Sequence, residues 1–167
     1  MSALVTTLIG LLALVLETFA RAAFGLDLWT PPLFIIFVLW LASSSPKSSD
    51  LIIVSVLGLL ADGLASSPAG AHGLTGLVLL CLLPLLTSRL QLDRGIGAAA
   101  FGSVGALVSL LITAVVARET GSSGVAGRMG ALFIPHLVTI AIGSPLLFPL
   151  FDRLARGRLR TVDADAL

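Results

Sequence analysis

Long apolar runs separated by short polar breaks make up most of this chain, and none of the runs alternates with a period of two. A bilayer span needs about 20 apolar residues, and six stretches are candidates. The first, Ala3–Phe24, is interrupted by Glu17 and Arg21. The second, Leu28–Ser43, opens on Pro31-Pro32, which suits a helix start, where amide hydrogens have no intrahelical partner. A polar breaker, Ser-Ser-Ser-Pro-Lys-Ser-Ser-Asp, ends at Asp50, the expected N-cap of a third run, Leu51–Ser66. That run is short, about 16 residues or roughly 24 Å of helix. A turn over Ser67–Ala71 leads into the fourth run, His72–Ser88, where Pro84 predicts a kink. The fifth is Gly95–Ala117 and the sixth Met129–Phe151.

Composition turns these runs into membrane helices. Hydrophobic residues are 57% of the chain and charged ones 11%, against roughly 25% charged in soluble domains. The mean hydropathy is +1.09. Backbone groups in hydrocarbon must pair internally, which leaves helices or a closed barrel, and unalternating runs select helices. The expectation is an all-α integral membrane protein, a six-transmembrane-helix bundle over residues 1–152, with a basic cytoplasmic C-terminal tail at 153–167. With the N-terminus inside, the cytoplasmic side holds Lys47, Arg89, Arg94, Arg153, Arg156, Arg158 and Arg160, and the outer side only Arg21, Arg118 and Arg128. That asymmetry fits the positive-inside rule and puts both termini in the cytoplasm. No cleavable signal peptide is expected, because no Lys or Arg precedes the first run.

Charge and cysteine content remove other classes. A net charge of +1 with no basic, aromatic-rich patch gives no reason to expect nucleic acid. The single cysteine, Cys81, allows no disulfide framework and no thiolate cage. The arginines at 153–160 serve as a topology anchor that also meets anionic lipid.

Ionisable groups inside a membrane are costly and each needs a reason. In this topology Glu17, Arg21, Asp62, His72 and His136 all fall in the outer half of the bundle, a candidate outer polar cluster around an outward-opening cavity. The plainer reading is local: Glu17 and Arg21 form an i,i+4 pair in the favourable order, and Asp62 fixes a helix–turn–helix. The stretch Gly58–Gly76 concentrates this chemistry as a structural signature, with Asp62 and Gly63 near one helix end, a turn through Pro68 and Gly70, and a second helix beyond. Its glycines read as turn and close-packing positions. They have no phosphate-cradle spacing. A metal site from Glu17, Asp62, His72 and His136 has no H-x-x-x-H or H-E-x-x-H spacing behind it, so no metal or cofactor is expected. No G-x-S-x-G elbow exists, and an enzyme is rejected. On the fifth run Gly105, Ser109, Thr113 and Ala117 stand four apart, beside a second row of Ala98, Gly102 and Ala106. Such rows bring helices close in lipid, for internal packing or for another membrane protein.

Gly58-x-x-x-Asp62, then Pro68-x-Gly70 and an apolar run from Leu74, resembles the central signature of the MreD family of rod-shape-determining proteins. Chain length, six-run hydropathy and a basic tail resemble the family too, whereas its polar residue after the second-span proline is replaced here by Leu33 or Pro32. The resemblance implies a non-enzymatic scaffold of the bacterial cell-elongation complex in the inner membrane. Its implied partner is a single-span MreC-like protein and, indirectly, MreB filaments and the SEDS polymerase with its penicillin-binding transpeptidase, which build lateral peptidoglycan. It also implies a likeness to the S-component fold of energy-coupling-factor vitamin transporters. A transporter S component is therefore the alternative, disfavoured by the missing A-x-x-x-A pattern on the first run and the scarcity of aromatic residues.

Overall fold

The computed structural model describes residues 2–24, 32–44, 46–65, 70–87, 96–119 and 123–157. Among them the backbone forms six helices and no strand: α1 (Ala3–Phe24), α2 (Leu33–Ser43), α3 (Ser48–Ala65), α4 (Ala71–Thr87), α5 (Ile96–Glu119) and α6 (Ser123–Gly157). Each of the six apolar runs has become a helix. Pro31, Ser66, Ser67, Pro68, Arg89, Arg94, Arg158 and Arg160 lie outside the described residues.

The boundaries differ from expectation for local reasons. α2 begins only after Pro32, whose carbonyl accepts the amide of Ile36 at 3.1 Å. α3 begins at Ser48, ahead of Asp50, so Asp50 is not its N-cap. Asp50 instead accepts the Lys47 amide on Oδ2 at 2.8 Å, while its own amide donates to the Lys47 carbonyl at 2.9 Å. That is the returning half of a capping box, with Lys47 at the cap. α4 continues through Pro84 to Thr87. α6 is 35 residues long and runs through Pro135, Pro145 and Pro149. It also passes residue 152 unbroken, so Arg153 is helical.

α2 is the axis of the molecule. Its sequence, Leu-Phe-Ile-Ile-Phe-Val-Leu-Trp-Leu-Ala, has no polar face, and a helix apolar all round belongs in the interior. Phe34–Ala42 are each 3% exposed or less. α2 touches all five other helices, which close a ring around it in the order α1, α3, α4, α5, α6 and back to α1. The α6–α1 contact is the slightest in that ring.

Since lipid tails are as apolar as leucine, close packing must hold such a bundle. Gly58 of α3 lies against Gly73 of α4, where a Cβ would fall 2.6 Å from the Gly73 amide nitrogen. On α5, a Cβ at Gly102 would meet Ser144 Oγ of α6 at 2.6 Å, and Gly105 sits under Leu39 of α2. Leu4, Phe19, Ile52, Leu85, Leu111 and Leu146 point outward, an apolar belt suited to hydrocarbon. By length and composition, three helices among the described residues can cross a bilayer: α1, α5 and α6 over Ala3–Ala23, Gly97–Val116 and Phe133–Ala155. α2 and α4 are apolar but shorter.

Candidate functional site: the polar end of the bundle

Two helices start here without an acceptor of their own. The first amides of a helix have no intrahelical partner, and a Ser, Thr, Asp or Asn side chain normally meets them. α2 has Pro32 at its N-cap, with no side-chain cap. α4 follows Gly70, whose φ of +89° only glycine adopts without strain.

Carboxylates from neighbouring helices supply both caps. Glu17 of α1, 6% exposed, accepts the Phe34 amide on Oε2 at 3.0 Å and pairs with Arg21 through Oε1. Asp62 of α3, 5% exposed, accepts the Gly70 amide on Oδ2 at 2.8 Å and the His72 amide on Oδ1 at 2.9 Å. The His72 ring closes on the same oxygen, with Nδ1 2.7 Å away. A carboxylate that already accepts two amides calls for a donor there, so the proton sits on Nδ1. Negative charge at a helix start is also favoured by the macrodipole.

The two pairs meet across α2. The Phe34 ring, whose amide Glu17 holds, tilts toward the His72 ring with centroids 6.2 Å apart. His136 on α6 is half-buried, within electrostatic reach of both His72 and Arg21, and its Nε2 lies 3.4 Å from Ser109 Oγ of α5. Glu17, Arg21, Asp62, His72 and His136 thus gather at the end where α2 and α4 begin. The acidic oxygens are nearly sealed and face amide, ring and guanidinium donors. Arg21 Nε is buried with no acceptor among the described residues. No group of three or more His, Cys, Asp or Glu among the described residues is placed to hold a metal ion.

The remaining candidates divide between turn and packing. Gly63 belongs to neither, since it lies within α3, exposed, with nothing within 4 Å of a would-be Cβ. Ser109 is 3% exposed, and Thr113 Oγ1 donates back to the Ser109 carbonyl at 2.9 Å. Gly102 faces α6 and Gly105 faces α2, so both glycines serve contacts inside the bundle. At the opposite end is a contact that sequence reasoning missed: Trp40 Nε1 donates to Asp152 Oδ1 at 2.9 Å, tying α2 to α6. No local spacing marks a pair 112 residues apart. The Glu17 cap did carry a signal, since two prolines before α2 leave its amides without a local acceptor.

The match to a family model decides the family. The model for the rod shape-determining protein MreD covers residues 1–156. The chain belongs to the MreD family. No curated protein and no solved structure matches it. The family is one of shape determination and not a known enzyme family, and three apolar helices of spanning length agree with a membrane protein. Gly58, Asp62 and Gly70, which carried the resemblance, form a close helix contact, a trans-acting cap and a left-handed turn.

Proposed function

We propose that this MreD-family protein is a non-enzymatic scaffold of the bacterial inner membrane that binds an MreC-like protein and supports lateral peptidoglycan synthesis and rod-shape maintenance. The observation that carries the reading is the family match over residues 1–156. The saturation of Asp62 and Glu17 by helix-start amides supports it, because these acids then hold the shape of a platform. Through its MreC-like partner the scaffold connects to MreB filaments and to the SEDS polymerase with its transpeptidase. Both termini lie in the cytoplasm, where the arginines from Arg153 onward meet anionic lipid. The five ionisable residues at the polar end then form the outer cluster.

The test is gentle purification from native membranes with identification of copurified proteins and small molecules by mass spectrometry. An MreC-like protein with wall-synthesis enzymes is the expected outcome. Paired ATPases with a coupling subunit, or a stoichiometric vitamin-sized ligand, would overturn it in favour of a transporter S component.

A further inference from the structure

α6 has a soft middle and a fastened end. Pro145 and Pro149 stand four residues apart on one face. A proline has no amide hydrogen, and its ring crowds the carbonyl one turn earlier. Two successive rungs are therefore missing on the same side of the helix, at the carbonyls of Ala141 and Pro145. Just before them, Ser144 Oγ donates to the Ile140 carbonyl at 2.8 Å and Thr139 Oγ1 to the Pro135 carbonyl at 2.8 Å. Back-bonds of this kind loosen and bend helices.

The part of α6 before the prolines is pinned. Ile140 and Ser144 are fully buried, and Ser144 packs on Gly102 of α5. The part beyond is an arm. Leu146, Leu150 and Leu154 face outward, while Leu147, Phe148 and Ala155 rest on the core. Phe151 stands edge-on to Phe37, centroids 6.3 Å apart, and 5.5 Å from the Trp40 ring. Apolar contacts in lipid have little direction or driving force. The Trp40–Asp152 hydrogen bond supplies both to the end of the arm. Of its two neighbours in the ring, α6 meets α1 far more lightly than α5.

We propose that residues 146–157 are a hinged strap over the C-terminal end of α2, pivoting about Pro145 and Pro149 and latched by Trp40 and Asp152. Release uncovers Phe37 and Trp40 at the seam between α1 and α6 and moves Arg153 relative to the bundle. The strap is independent of which partner the scaffold binds.

Spin labels at Ile52→Cys and Leu154→Cys, both exposed positions, in a Cys81→Ser background report the strap by double electron–electron resonance in nanodiscs. The unaltered latch gives one narrow distance distribution. Trp40→Phe keeps an aromatic ring, though a smaller one, removes the donor, and adds a second, longer distance. Asp152→Asn keeps an acceptor oxygen and stays narrow, whereas Asp152→Leu behaves like Trp40→Phe, so the latch is tested from both sides should either release variant fold poorly. Adding Pro145→Ala and Pro149→Ala restores the rungs and collapses the released variant to one distance. Release variants that superimpose on the parent, or broadening that survives loss of both prolines, would overturn the strap.

Discussion

Asp62 accepts from the Gly70 amide, the His72 amide and the His72 ring, and a carboxamide can meet only part of that demand. Asp62→Asn keeps one acceptor oxygen and turns an NH2 group toward a donor. It should cost about 1–2 kcal/mol, the scale of a lost helix cap. Asp62→Leu strands every donor and should cost about 3 kcal/mol or more, with lower abundance in the membrane. Thermal midpoints in detergent and immunoblots of membranes measure both. If Asp62 acts only as a cap, rod-shape complementation falls in step with abundance; lost function at normal abundance would show that its charge meets a ligand or partner. Glu17 gives a parallel series. Both Glu17→Gln and Glu17→Leu take the counter-charge from Arg21, but only Gln retains an acceptor oxygen for the Phe34 amide. We expect the thermal midpoint to fall from parent to Gln to Leu, the last losing about 2–3 kcal/mol of stability. Equal midpoints for Gln and Leu would mean that the cap on α2 stabilises nothing.

Between elements, the glycines of one signature have opposite roles. Gly58 lets α3 and α4 touch backbone to backbone, while Gly63, one turn further on, faces open space. Gly58→Ala should push the helices apart and destabilise by about 1–3 kcal/mol, the range for overpacking. Gly63→Ala should be neutral or gain about 0.5–1 kcal/mol, because alanine holds a helix better than glycine. Thermal unfolding of the two variants side by side decides this, and a shared sign would defeat the distinction. The sequence alone did not separate these positions. Spacing placed both on α3, and only the packing partner, Gly73, tells them apart. Asp50 shows a similar limit: its residue type announced a helix start, but whether it stood at the cap or three residues inside depended on how Ser48 and Ser49 folded. By contrast the six helices were legible, because each apolar run exceeds what a turn can hold and its breaks are polar or rich in Gly and Pro.

For the molecule as a whole, the length rule for membrane helices applies to those that meet lipid. α2 has 11 residues, about 16 Å of helix, roughly half of what a bilayer demands. It escapes the rule because five helices enclose it and its polar ends meet Glu17 on one side and, through Trp40, Asp152 on the other. Its apolar run reads in sequence as one more bilayer span, and only the packing shows that it is the enclosed one. The closing partners did not show, since they come from α1 and from the far end of the chain. The alternation of the helices fixes which ends lie together but not which faces the cytoplasm. That depends on charge. By their order in the sequence, Lys47, Arg89, Arg94 and four arginines after residue 152 are expected on one side, against Arg21, Arg118 and Arg128 on the other. A fluorescent-protein fusion after Leu167 should therefore glow and an alkaline phosphatase fusion there should be inactive. Truncating after Ala69 should reverse both signals. Replacing Arg153, Arg156, Arg158 and Arg160 with Gln narrows the difference from seven against three to three against three. If those charges hold α6 in place, the Gln variant should give mixed signals at Leu167. An unchanged signal would assign the orientation to the earlier helices, and a reversed pattern in the unaltered chain would put the polar end of the bundle in the cytoplasm.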